Sequence, residues 1–157
     1  MKAQYQLKGI KEWDTHDGGG FTARVYRDGK CVGSVINHGT GGSNCYDVEP
    51  EIVAELTAIA VANDPDADRF GEGADAYIDE LLERADMVKT LNKWSRTKVL
   101  FLLDDEDPFT FGCRNLVCGH AVTDRDMSVC IAQLKLKYGD AHKVRIWNRG
   151  IEEWIAL

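Results

Sequence analysis

Phe21-Thr-Ala-Arg-Val-Tyr-Arg27, Asp28-Gly29 and Lys30-Cys-Val-Gly-Ser-Val-Ile36 follow one another without interruption and carry the strongest local structural signal in the chain. Two β-prone runs of alternating polarity flank an Asp-Gly pair. Both central positions of a type I′ turn need positive φ, which Gly adopts freely and Asp better than most residues, so the pair predicts a two-residue hairpin. A reversal at that point pairs Val25 with Val32, Ala23 with Ser34 and Phe21 with Ile36, and this face is expected to point into the core. Arg24, Tyr26, Cys31 and Val35 then fall on the opposite, partly exposed face. Upstream, Gln4–Leu7 suits a further short strand.

Downstream of the hairpin the hydrophobic period changes from two to 3.6. Asp47 is expected to cap a helix with Pro50 in its first turn and acids at 49 and 51, which suit the positive end of a helix dipole. Ile52, Leu56 and Ile59, broadened by Val53 and Ala60, form its apolar stripe, and the helix should end near Asn63, before Asp64-Pro65. A second helix is predicted over about 74–95, with Tyr77, Leu81, Ala85, Val88, Leu91 and Trp94 on one face. Lys98-Val-Leu-Phe-Leu-Leu103 is an unbroken apolar run, the pattern of a central strand covered on both sides. Residues 109–120 fit an edge strand and a loop equally. Thr123 and Asp126 resemble a capping box opening a helix that presents Met127, Cys130, Ile131, Leu134 and Tyr138, and Gly139 ends it. A last strand is expected over His142–Trp147.

The chain has 157 residues, 44% hydrophobic and 29% charged, which is globular composition and excludes a disordered, collagen-like or coiled-coil chain. No window approaches the ~18 apolar residues a membrane span requires, and the N-terminus lacks a signal-peptide apolar run, so no membrane association is expected and a cytoplasmic location is. Cys31, Cys45, Cys113, Cys118 and Cys130 are odd in number and suit free thiols in a reducing compartment. These features predict a single α+β domain over 1–157. It should contain a mainly antiparallel sheet, an N-terminal β-hairpin and three helices packed on one face. Its segments are the hairpin with Gly-rich loops (1–46), an acidic helical pair (47–95) and a strand-helix-strand (96–157).

The hairpin has a chemical consequence. Residues entering its first strand must lie beside those leaving its second, so the loops 14–20 and 37–45 should converge. Six glycines lie in them, and the second loop should run into the start of a helix, where unpaired N–H groups favour an anion. The candidate ligand-binding residues are His16, Asp17, Gly19, His38, Gly39, Thr40, Gly41, Gly42, Ser43 and Asn44, and the ligand would be a nucleotide or another phosphorylated molecule. The same composition also makes ordinary turns. No P-loop motif is present, and neither loop contains Lys or Arg. His38-Gly39-Thr40 has the His-x-Thr form of two-histidine phosphoesterases, but His16 is followed by Asp17-Gly18, so the set is incomplete. Catalytic residues are therefore not assigned, no cofactor is implied, and binding is favoured over catalysis.

Two metal readings are weaker. Cys113, Cys118 and His120, with Cys130 or His142 as a fourth ligand, have borderline zinc spacing. Asp104–Asp107 could hold a divalent cation, although four acids before a proline more often make a solvated turn.

The formal net charge is −7, and it is unevenly distributed. Residues 1–46 carry six basic and four acidic groups, and residues 88–157 eleven and nine. Residues 47–87 carry thirteen acids against only Arg69 and Arg84, too few cations for the usual i,i+4 pairing. Such a face repels phosphate backbones, so direct nucleic-acid binding is not expected. It can instead be steered onto a basic groove, with Glu72, Asp75, Asp79, Glu80, Glu83 and Asp86 as partner-binding candidates. Acids at 49, 51 and 55 extend the face.

The run from Asp17 to Tyr46, together with Lys98–Leu103 and Leu136-Lys-Tyr-Gly139 with the strand that follows, resembles small accessory proteins of bacteriophages and prophages. The resemblance covers about half the chain, and the segment Cys113–His120 departs from it. It carries no catalytic residue over. It implies a role against host defence, either by inhibiting an immune complex such as a CRISPR effector or by sequestering a nucleotide signal. The first expectation is thus an inhibitor acting through the acidic helices on a host defence protein with a basic groove. The alternative is a nucleotide-binding protein or phosphodiesterase centred on the Gly-rich loops.

Overall fold

The structure is a computed structural model, and it describes residues 4–106, 114–117, 123–139 and 141–157. The chain order is β1 (Tyr5–Asp14), β2 (Gly19–Arg27), β3 (Lys30–Asn37), β4 (Cys45–Val48), α1 (Pro50–Asn63) and α2 (Gly73–Trp94). It continues with β5 (Lys98–Leu103), β6 (Arg114–Val117), α3 (Asp124–Tyr138), β7 (Val144–Asn148) and β8 (Glu153–Ala156). The fold is α+β with entirely antiparallel pairing and the expected N-terminal hairpin. The strands fall into two four-stranded sheets, in the orders β1-β2-β3-β4 and β6-β5-β7-β8. Two compact units result, Met1–Ala85 and Asp86–Leu157, with the boundary inside α2.

In the first unit the turn forms at Asp28-Gly29 with φ of 48° and 80°, the positive values a type I′ turn demands. The register beyond it differs from expectation by one residue. Val32 is an extra, unpaired residue, so Val25 opposes Gly33, Ala23 opposes Val35 and Phe21 opposes Asn37. Because side chains alternate, this bulge turns Val35 inward and leaves Ser34 and Ile36 half-buried. The cause is tertiary. At Gly33 the carbonyl of Asp47 comes so close that a Cβ could not be accommodated, which lets β4 pair along β3. Asp47 therefore lies in a strand and not at a helix cap. Helix α1 begins after Glu49, which makes no side-chain cap hydrogen bond, and Pro50 occupies its first turn.

Strand β1 is ten residues long because a bulge between Lys8 and Lys11, with Gly9 at φ 64°, lets pairing resume after the short apolar segment. Helices α1 and α2 cover one face of this sheet. Tyr5, Leu7, Phe21, Ala23, Val25 and Val35 meet Ile52, Leu56, Ala74, Ile78 and Leu81 in one core.

The second unit buries both faces of β5. Val99, Phe101 and Leu103 pack with Cys130 and Leu134 of α3, while Leu100 packs with Leu91 of α2 and with Trp147. Such two-sided burial is the physical reason for the unbroken apolar run. Strand β8 extends the sheet beyond the expected last strand.

Candidate functional site

The two Gly-rich loops do lie side by side. The Thr15 hydroxyl sits 2.8 Å from the Gly18 carbonyl in its own loop and 2.5 Å from the Gly39 carbonyl in the other. Gly39 takes φ 74°, and a Cβ there would meet the Gly20 nitrogen and the Thr15 methyl at 2.8 Å. A Cβ on Gly20 would collide with the Trp13 indole and approach the Asn37 carbonyl at 2.9 Å. Glycine at positions 20 and 39 thus serves the contact of one backbone with the other. Asn37 organises the second loop: its side chain accepts from the Gly39 N–H at 2.8 Å and donates to the Gly42 carbonyl and to Asn44 Oδ1. Thr15 and Asn37 were not among the candidates: the Thr15–Gly39 contact joins residues 24 apart, and Asn37 is the last residue of β3, whose local bonds carry no chemical motif.

His16, Asp17, Gly19, His38, Thr40, Gly41, Gly42 and Ser43 are exposed on these loops, Gly39 is buried and Asn44 half-buried. The second loop does not run into a helix start. It leads into β4, and its end is tied to the first turn of α2, where the Asp75 carboxylate accepts the Asn44 N–H at 3.1 Å and the Tyr46 hydroxyl at 2.5 Å. A carboxylate already stands where an incoming anion would meet the dipole. A cavity of about 420 Å³ borders the first loop, lined by Glu12, Trp13, Asp14, Gly19, Gly20 and Phe21. Two carboxylates and an indole suit a cation better than a phosphate.

The acidic face sorts into engaged and open groups. Glu55 is turned inward, accepting from Arg27 at 2.8 Å and from the Tyr5 hydroxyl at 2.6 Å. Asp75 is half-buried in the bonds just described. Glu80 pairs with Arg84 at 3.1 Å, and Asp86 with Lys89 at 2.7 Å. Glu72, Asp79 and Glu83 are exposed. Asp75, Asp79 and Glu83 follow one another at i,i+4 spacing and form a row on α2. Partial burial, and then repulsion from Asp75 and Glu83, raises the Asp79 carboxyl above its usual range. Burial and the hydrogen bond to Asp75 likewise push the Tyr46 hydroxyl up.

Comparison of the chain with protein-family models, with curated proteins and with solved structures finds no match. Among the described residues no group of three or more His, Cys, Asp or Glu is placed to hold a metal. The zinc candidates Cys113, Cys118 and His120 lie outside the described residues, as does Asp107 of the acidic run. Cys31 and Cys45 are exposed thiols and Cys130 is a buried one. No helix of the described residues is long and apolar enough to cross a membrane.

Proposed function

We propose that this protein works by binding, without catalysis, and that it docks the open acidic row of α2 onto the basic, nucleic-acid-binding groove of a partner protein. The observation that carries this reading is the row itself: Asp75, Asp79 and Glu83 stand at i,i+4 spacing along α2, in a unit with sixteen acidic and eight basic residues. Bringing cations against such a row relieves the repulsion, so the field that opposes the free state favours the complex. The carboxylates and indole around Trp13 offer a second place for an arginine or lysine of the same partner. The resemblance of 17–46 to phage accessory proteins suggests the partner class: a host defence complex such as a CRISPR effector, met in the bacterial cytoplasm.

The test is inhibition of DNA cleavage by a purified CRISPR effector complex. Inhibition should weaken as salt rises, vanish in Asp79→Lys/Glu83→Lys and persist in Lys143→Ala. Cleavage unaffected by the protein, or inhibition indifferent to both salt and charge reversal, would overturn the reading.

The adjacency of the two loops favours a second reading, a nucleotide ligand or phosphodiester substrate at His16 and His38. Thermal shifts with mono-, di- and cyclic nucleotides should then be present in the native chain and absent from His16→Ala/His38→Ala.

A further inference from the structure

At the end of the second unit's sheet a cavity of about 440 Å³ is lined in part by Asp104, Asp105, Lys135, His142, Lys143 and Arg145. These residues are far apart in the chain and are assembled by the pairing of β5 with β7. Asp104 takes φ 53° as the strand ends, and its N–H donates to the Lys143 carbonyl at 2.7 Å. Its carboxylate accepts the Lys143 N–H at 3.0 Å and faces His142 Nδ1 at 2.8 Å. The hydrogen bond from His142, and then that from Lys143, holds the Asp104 carboxyl below its usual range. This carboxylate is therefore already engaged in fixing one edge of the His142 ring, which leaves Nε2 as the ring's other nitrogen.

The cations are differently placed. Arg145 donates through Nη2 to the Asp104 carbonyl at 3.1 Å and the Glu106 carbonyl at 2.7 Å, so the guanidinium is anchored by neutral acceptors. Its Nε is buried without a partner. Among the described residues neither Lys135 nor Lys143 has an ion-pair partner. Three cations and an imidazole thus face one cavity, opposed by Asp105 and an Asp104 already in use. The carboxyl end of α3 forms part of the wall through Gly139, and its dipole works against an anion, so attraction must come from the lysines.

We propose that this cavity binds a small phosphorylated molecule, with Lys135, Lys143 and Arg145 receiving the phosphate. A phosphate monoester brings close to two charges and three acceptor oxygens, which three cations match better than a carboxylate would. The volume leaves room for an attached organic group. This site is separate from the acidic docking row and does not rest on it.

Titration of the 15N-labelled full chain with inorganic phosphate, adenosine 5′-monophosphate and adenosine tests the assignment. Phosphate and the monophosphate should shift the amides of Asp104, His142, Lys143 and Arg145, and adenosine should not. Lys135→Ala/Lys143→Ala should weaken binding about tenfold or more while leaving the amides of 4–85 in place, and Lys143→Arg should retain it. The site is refuted if millimolar phosphate and the monophosphate shift nothing. Equal binding of adenosine, shifts unchanged in the double variant, or shifts confined to the 37–44 loop would refute it too.

Discussion

Asp79 on α2 and Asp104 at the end of β5 are the same residue in opposite electrostatic surroundings. The first unit contains sixteen acidic and eight basic residues, and there Asp79 is raised by partial burial and then by Asp75 and Glu83 on either side. The second contains ten acidic and eleven basic residues, and there Asp104 is held by His142 and the Lys143 N–H and is lowered. One carboxylate is exposed in a row of like charges; the other is bonded within the fold to His142 and the Lys143 N–H. Charge at the level of sequence therefore does not say what a carboxylate does. Its neighbours across the fold do.

The largest expected effects lie in the two cores. Leu56→Ala in the first unit and Leu100→Ala in the second, both almost completely buried, should each cost about 2–5 kcal/mol in chemical denaturation. Amide exchange should show protection lost mainly over β1–β4 in one variant and β5–β8 in the other. Equal losses across both sheets would contradict the division into units.

A smaller effect separates glycines that serve packing from those left for other use. Gly39→Ala forces a Cβ against Gly20 and Thr15 at φ 74° and should cost about 1–3 kcal/mol. Gly42, with open space around its Cβ position, should tolerate alanine within roughly 0.5 kcal/mol. Comparable thermal denaturation of the two variants would show that loop contact is not what glycine serves at position 39.

The smallest effects carry opposite signs with pH. Asp79 titrates above its unfolded value of 3.8, so between the two values the folded state binds more protons and stability falls as pH rises. Asp79→Asn should remove that loss and gain a few tenths of a kcal/mol at neutral pH, the scale of exposed charge pairs. Asp104 titrates below its unfolded value of 3.8, so its contribution is complete above that value and disappears as pH falls through the lowered one. Asp104→Asn should abolish this acid-side loss. Urea midpoints measured from pH 2 to 7 check both, and parallel profiles for the two variants would erase the contrast.

Much of the fold was legible because its signals are local. The Asp-Gly turn specifies its own φ values, and the apolar run of β5 announces burial on both faces. The predicted second helix lies within one residue of α2 at each end, because its apolar spacing reports the period of the backbone. The hairpin register was misread because the bulge at Val32 answers to the Asp47 carbonyl, which no pattern within 21–36 reveals. Strand β1 was underestimated because the bulge at Gly9 interrupts alternation before pairing resumes. The convergence of the Gly-rich loops followed from the hairpin alone, whereas the Thr15 contact that joins them did not. Asp104 and His142 were each singled out for a metal, in different groups, and their pairing with one another was not foreseen because they lie 38 residues apart.

Propensity, period and charge are properties of neighbouring residues, and they sufficed for the α+β class, the turn, the span of α2 and the concentration of acid between residues 47 and 87. Which carboxylates are engaged, which glycines touch another backbone, and that Lys135, Lys143 and Arg145 line one cavity emerged only from the folded chain. Those outcomes depend on strand pairing between distant segments, where a single bulge reverses every side chain that follows.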